Sequence, residues 1–138
     1  MNFTSLTLSL SLALWTAVLL LPISVLLSRW LSHQDFKGKF LILTAIALPL
    51  VLPPTVLGYY LLILFNEHAF IGNLYHSLFD STLLFSFQGL LIASIIFNLP
   101  FAFQPMYTAF SSIPNNLREA AWSCGLSPWK TFLHIELP

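Results

Sequence analysis

Three long stretches of this chain contain no charged side chain, and each is long enough to cross a lipid bilayer. The uncharged stretches run over residues 1–28, 40–66 and 81–117. Crossing the hydrocarbon core takes about 20 predominantly apolar residues, because an α-helix rises about 1.5 Å per residue. The sequence therefore predicts an all-α, polytopic membrane protein with three transmembrane spans, near residues 6–27, 41–65 and 83–103.

The composition excludes several other classes of protein. Only 7% of the 138 residues are charged and 57% are hydrophobic, so a soluble enzyme of this size could not cover its surface with polar groups. Five basic and five acidic residues give a formal net charge of zero, which argues against binding to nucleic acid. The single cysteine, Cys124, permits neither an internal disulfide nor a cysteine-based metal site.

The distribution of basic residues predicts the orientation of the chain in the membrane. No lysine or arginine precedes the first span and no cleavage site follows it, so we interpret it as a retained span rather than a signal peptide. The loop at residues 66–82 contains no basic residue, whereas five basic residues lie in the other two polar segments. These are Arg29, Lys37, Lys39, Arg118 and Lys130. Basic residues favour the cytosolic side, so the N-terminus is expected outside and the C-terminal segment in the cytosol.

The second span is rich in residues that interrupt helices. Pro49, Pro53 and Pro54 fall within six residues, with Thr55 and Gly58 close behind. Each proline removes a backbone hydrogen bond, so the helix is expected to kink or unwind here. The irregular backbone could belong to a tightly packed span, or it could line a translocation path. The residues alone leave these two interpretations open.

Few other residues within the spans are candidates for chemistry. None of the three spans contains Asp, Glu, Lys or Arg, which argues against a proton relay in this part of the chain. We assign Asn98 in the third span to hydrogen bonding between helices rather than to a substrate. The outer loop contains two histidines and two carboxylates, but their spacing matches no standard set of metal ligands, and no metal site is predicted.

The last quarter of the chain predicts a helical hairpin on the cytosolic side. Four residues at positions i, i+3, i+4 and i+7 define one helix face, namely Leu117, Ala120, Ala121 and Cys124. Gly125 suits the left-handed position that ends a helix, and Ser127 with Pro128 suits the start of the next. The hairpin could simply rest on its own membrane domain, or its small alanines could admit a partner protein.

The same segment resembles the EAA loop of ABC importer permeases. The resemblance rests on seven positions within residues 114–138, namely Glu119, Ala120, Ala121, Gly125, Ile135, Leu137 and Pro138. Within that group, the stretch from Leu48 to Tyr59 resembles the second-span signature of molybdate-type permeases. Phe70-Ile71-Gly72 and Phe85-Ser86-Phe87-Gln88-Gly89 are similar to the same subfamily. The resemblance extends over residues 36–138.

This resemblance implies a permease subunit of the inner membrane that translocates molybdate or tungstate. It implies pairing with a second copy of the permease, two cytosolic ATP-binding subunits that dock on the EAA loop, and a periplasmic molybdate-binding protein. ATP hydrolysis would belong to the partner subunits, so the chain itself is expected to have no catalytic residue and no cofactor.

Two alternatives to a molybdate permease remain at this stage. One is a permease for another oxyanion, such as sulfate or thiosulfate. The other is a truncated membrane fragment that does not transport, because the sequence stops at the last residue of the motif whereas members of the family continue into further spans. We therefore expect one permease domain over residues 1–138 that is incomplete at its C-terminus.

Overall fold

The computed structural model describes residues 2–138, and within them the chain is built from helices with no strand. The all-α prediction is confirmed. The helices are α1 (Phe3–His33), α2 (Lys39–Val51), α3 (Pro54–Leu64), α4 (Phe70–Phe79), α5 (Phe87–Ser111), α6 (Asn115–Ser123) and α7 (Pro128–Thr131), followed by a π-helical turn (Phe132–Glu136). By length and hydropathy, α1 and α5 could each cross a membrane, and the bent pair α2–α3 could form a third span.

The fold is organised by the packing of α1 along α5, the most extensive contact between helices. The buried residues of α1 recur at intervals of three or four, and several are small or polar: Thr16, Leu20, Ser24, Ser28 and Leu31. The Thr16 hydroxyl donates to the Ser94 hydroxyl of α5 at 3.1 Å. Small residues let two membrane helices approach closely, and hydroxyls on the shared face find partners there.

Asn98 also hydrogen bonds within the protein. Its side-chain amide donates to the Ser94 carbonyl at 2.8 Å, one turn earlier in α5. The amide also lies 3.4 Å from the Ser94 hydroxyl that receives Thr16, so Asn98 joins the polar contact between α1 and α5. Both Asn98 hydrogen bonds lie within α5, so Asn98 reaches α1 through the Ser94 hydroxyl rather than by the direct bond between helices that the sequence predicted.

The third span begins and ends later than its apolar run suggests. The helix starts at Phe87 because the hydroxyl of Ser86 accepts a hydrogen bond from the Gly89 N–H at 3.0 Å, which caps its first turn. It continues to Ser111 through Pro100 and Pro105. The predicted limits of 83–103 followed hydropathy, which marks burial in lipid, whereas the limits of the helix are set by capping and by backbone hydrogen bonds.

The second span is broken, as its prolines predict. Helices α2 and α3 are inclined to each other by 114° across residues 52–53. The carbonyls of Pro49 and Leu50 would normally accept hydrogen bonds from residues 53 and 54, but both of those residues are prolines. Helix α3 restarts with Pro54 in its first turn, where the missing N–H leaves no donor unsatisfied.

Helix α4 lies in the loop at residues 66–82, for which no helix was predicted. It is amphipathic, with one apolar and one polar face, and it ends at Asp80, whose φ of 52° is left-handed. Helix α4 turns back closely on the end of α3. An ideal Cβ on Gly72 would lie 2.0 Å from the Asn66 carbonyl oxygen, so only glycine fits at this crossing. The charges and histidines of this loop, on which its interpretation rested, give no indication of α4.

Candidate functional site

The cytosolic hairpin of the prediction corresponds to α6, α7 and the turn between them. Gly125 has a φ of +79°, which is the left-handed conformation expected from the sequence. The Gly125 N–H donates to the Trp122 carbonyl at 2.9 Å and the Leu126 N–H to the Ala121 carbonyl at 3.1 Å. This pair of hydrogen bonds is the Schellman arrangement that ends a helix on a left-handed residue. Gly125 therefore fixes the direction in which the chain leaves α6.

The second half of the hairpin starts at a serine cap and ends in a wider turn. The Ser127 hydroxyl accepts from the Lys130 N–H at 3.4 Å, and Pro128 occupies the first turn of α7. Beyond Thr131 the chain widens into the π-helical turn, in which the Leu137 N–H bonds to the Phe132 carbonyl at 2.9 Å. The helix that the sequence predicted to start here ends as an α-helix at Thr131, and the π-helical turn was not anticipated.

The face that α6 turns inward contains only one of the four residues that define the predicted helix face. Arg118 and Ala121 are buried, whereas Leu117, Ala120 and Cys124 are exposed. The sequence left open whether the hairpin packs on its own membrane domain or admits a partner, and here Ala121 faces inward while Ala120 stays accessible. The Arg118 guanidinium turns inward, where it meets an acidic partner and the Phe110 carbonyl.

The acidic partner of Arg118 is Glu136, whose side chain is only 2% exposed. Arg118 Nε lies 3.0 Å from Glu136 Oε1 as an ion pair without hydrogen-bond geometry. From α1, Arg29 Nε donates to Glu136 Oε2 at 2.5 Å, and His33 Nε2 lies 3.3 Å from Oε1. We call these four residues, Arg29, His33, Arg118 and Glu136, the Glu136 cluster.

Contacts beside the Glu136 cluster hold the hairpin against the ends of α1 and α5. The ring of Phe132 stacks on Phe110 of α5 with centroids 6.4 Å apart. The guanidinium carbon of Arg29 lies 4.8 Å above the same Phe132 ring, in a cation–π arrangement. The Arg118 guanidinium also donates to the Phe110 carbonyl at 3.4 Å. The hairpin thus packs against its own membrane helices, while part of α6 stays exposed.

The charges around Glu136 control its protonation. Burial by itself raises the pKa of the carboxyl, but the hydrogen bond from Arg29 and the charges of Arg29, His33 and Arg118 outweigh burial, so the pKa lies below its ordinary value of 4.5. A lowered pKa in the folded protein means that the carboxylate stabilises the fold above the unfolded pKa. This stabilisation is lost as the pH falls through the folded pKa.

We therefore expect the stability of the wild-type protein and of Glu136→Gln to converge in acid. In detergent, the difference in their unfolding midpoints should be large at about pH 7 and small below the folded pKa, because the protonated carboxyl resembles the amide. Thermal unfolding of both proteins across this pH range measures the difference directly. The other carboxyls titrate alike in both proteins, so their effect cancels in the difference. A difference that stays constant with pH would contradict the assignment.

The residues of the motif occupy two kinds of position in the structure. Glu119, Ala120, Gly125, Leu137 and Pro138 are exposed, Ile135 is half-buried and Ala121 is buried. Glu119 does not pair with its neighbour Arg118, which faces Glu136 instead. The exposed members share the hairpin with the large apolar side chains of Leu117 and Trp122. The structure therefore leaves an apolar surface on α6 next to Glu119 and Ala120.

The five residues proposed for a translocation path also occupy two kinds of position. Thr55 and Gly58 line an apolar cleft of about 490 Å³ between α3 and the start of α5. Pro49, Pro53 and Pro54 lie outside that cleft, at and before the break between α2 and α3. The prolines thus shape the backbone, and the two later residues contribute surface.

Sequence reasoning missed the central residue of the Glu136 cluster. Glu136 occupies the unspecified position of the motif, between Ile135 and Leu137, and its partner Arg29 is 107 residues away in the sequence. No local pattern connects residues so far apart. The available signal was a carboxylate set between two apolar residues in a chain with very few charges, which calls for a cationic partner.

This arrangement of helices and hairpin agrees with comparison to known proteins. Residues 20–138 match the family described as binding-protein-dependent transport system inner membrane component. The chain belongs to this family, which makes it part of a membrane transport component rather than an enzyme.

Individual relatives are named as molybdenum or sulfate permeases. The molybdenum transport system permease protein ModB of Azotobacter vinelandii is 41% identical over 137 residues, which cover 99% of this chain and 61% of the relative. ModB of Haemophilus influenzae is 34% identical over the whole chain and 60% of its own length. A Marchantia polymorpha protein named "Probable sulfate transport system permease protein cysT" is 35% identical, over 82% of the chain and 39% of its length. The chain thus spans about 60% of the length of the ModB relatives.

Proposed function

We propose that this chain forms part of the permease of an ATP-driven importer for molybdate or tungstate. The observation that carries the proposal is the hairpin of α6 and α7, which combines the EAA residues, a left-handed Gly125 and an exposed apolar face on α6. Relatives named as molybdenum permeases match nearly the whole chain, whereas the sulfate-named relative matches less of it. This difference favours molybdate over sulfate or thiosulfate.

The proposed assembly contains two permease copies, two cytosolic ATP-binding subunits and a periplasmic binding protein. The ATP-binding subunit would contact the exposed part of the hairpin around Glu119, Ala120 and Gly125. ATP hydrolysis would move the hairpin and, through the ends of α1 and α5, the helices in the membrane. Hydrolysis itself belongs to the partner subunit.

The proposed orientation has the N-terminus outside and the hairpin in the cytosol of the inner membrane. It is supported by the grouping of basic residues at one end of the helices. Arg29 and Arg118 meet at Glu136, and Lys39 Nζ lies 5.8 Å from the Tyr107 ring near the same end of α5. Basic residues gathered at one end favour the cytosolic face.

The break between α2 and α3 is the proposed position of the translocation path. Pro53 and Pro54 have no N–H, so the break presents few donors to an anion and would bind it only weakly. Weak binding favours release, which conduction of a doubly charged oxyanion requires. Thr55 and Gly58 would add a hydroxyl and an open surface beside the apolar cleft.

Uptake by a bacterial strain that lacks its own molybdate permease tests the proposal. The full-length product containing this chain is expressed with its ATP-binding subunit and binding protein, and uptake of labelled molybdate is measured. We expect uptake that excess tungstate inhibits and excess sulfate does not. Inhibition by sulfate would favour the other oxyanion importer. Assembly with the ATP-binding subunit without any uptake would favour a membrane polypeptide that does not transport.

A further inference from the structure

Glu136 connects two parts of the chain that have no short covalent link. Helix α6 follows α5 after only three residues, so it must move with the end of α5. Helix α1, in contrast, is more than 80 residues away from α6 in the sequence, and it meets the hairpin through Arg29 and His33. The Glu136 carboxylate accepts charge contacts from both sides, with Arg118 on α6 and the two α1 residues opposite.

The position of the carboxylate makes this connection resistant to separation. The Glu136 side chain is 2% exposed, so its carboxylate is closed to water, although its α1 partners Arg29 and His33 are 33% and 26% exposed. Separating α1 from the hairpin would take the Arg29 hydrogen bond away from this buried carboxylate, and Arg118 Nε faces it without hydrogen-bond geometry. A displacement of the hairpin would therefore carry the end of α1 along rather than open the Glu136 cluster.

We propose that Glu136 is a positioning residue that transmits movement of the hairpin to α1 during transport. This inference rests on the proposed importer function and adds a second route for the movement, besides the covalent link to α5. Because α1 packs against α5 and α5 packs against α2, a shift of α1 would change the packing of the membrane helices beside the break in the second span. The EAA resemblance leaves position 136 unspecified, so this role comes from the geometry of the Glu136 cluster.

The test compares uptake with ATP hydrolysis for a variant that removes the charge but keeps the shape. The full-length permease is assembled with its ATP-binding subunit in proteoliposomes, and the binding protein with molybdate is supplied. We expect Glu136→Gln to lower the number of anions transported per ATP hydrolysed by about tenfold, a typical size for energetic coupling between sites. ATP hydrolysis itself should stay within about twofold of the wild type.

A matched control removes an ion pair near the same end of the helices. This pair joins residues close together in the chain and does not connect distant parts of it. Asp35 accepts from Lys39 four residues later at 3.1 Å, and its side chain is 99% exposed. Asp35→Asn should leave both uptake and hydrolysis unchanged. Arg29→Gln removes the hydrogen-bonded α1 contact of the Glu136 cluster and leaves His33 and Arg118 beside Glu136. It should therefore reproduce most of the loss of coupling with less effect on folding.

The possible outcomes separate this inference from the proposed function. A wild-type protein without uptake contradicts the importer function itself. If the wild type transports, an unchanged ratio of uptake to hydrolysis in Glu136→Gln overturns the positioning role. Equal losses of uptake and hydrolysis, or failure of both Glu136→Gln and Arg29→Gln to assemble, also overturn it in favour of a purely structural ion pair.

Discussion

Replacing Gly125 with valine is expected to abolish both co-purification of the ATP-binding subunit and molybdate uptake. Gly125 has a φ of +79°, a conformation that costs a side-chain-bearing residue about 1–2 kcal/mol and a β-branched residue more. The space around Gly125 is open, with no atom within 4 Å of an added Cβ, so the effect would be conformational rather than a clash. A different turn would break the two hydrogen bonds that end α6 and would redirect α7.

The matched control for this prediction is Gly125→Asn. Asparagine is larger than alanine but tolerates the left-handed conformation, so it should preserve the turn and most of the activity. Affinity purification of the permease, followed by quantification of bound ATP-binding subunit, measures docking directly. Normal co-purification with the valine variant would refute the docking role of the hairpin.

Replacing Gly72 with alanine is expected to have the largest effect on stability. The added Cβ would lie 2.0 Å from the Asn66 carbonyl oxygen and 2.7 Å from that of Phe65. Both neighbours are backbone atoms, so α4 would have to move away from the end of α3. Overpacking of this kind typically costs 1–3 kcal/mol and sometimes more, and we expect a loss of about 3 kcal/mol or more here.

Thermal unfolding in detergent, together with the yield of folded protein, measures the effect at Gly72. Gly38→Ala is the matched control, because its Cβ would meet the Phe36 ring at 3.4 Å, an ordinary contact with a side chain. Its unfolding midpoint should stay close to that of the wild type. Equal midpoints for Gly72→Ala and Gly38→Ala would contradict the close crossing of α3 and α4.

The parts of the fold that follow local rules were predictable from the sequence. Prolines that remove consecutive N–H donors predicted the break at residues 52–53, and a glycine after an amphipathic stretch predicted the left-handed turn at Gly125. The predicted limits of α5 were less accurate, because the Ser86 cap sets the start of the helix and hydropathy takes no account of hydrogen bonds. The residue spacing does not indicate the π-helical turn.

The Glu136 cluster shows why the rest of the candidate site was not predictable. Arg118 is on the inward face of α6 only because Glu136 and the Phe110 carbonyl meet it there. Those partners come from the π-helical turn and from the end of α5, so the orientation of α6 depends on tertiary contacts. Periodicity within nine residues could identify a helix but could not determine which side of it is buried.

The proline break in the second span has a consequence for what holds its angle. An ordinary helix resists bending because each bend stretches or breaks backbone hydrogen bonds. Between α2 and α3 the residues that would donate those bonds are Pro53 and Pro54, so no ladder spans the junction. If the 114° angle between α2 and α3 changed, no backbone hydrogen bond donated by residue 53 or 54 would be lost. The angle at the junction is therefore held by the restricted backbone angles of Leu52, Pro53 and Pro54 and not by hydrogen bonds across it.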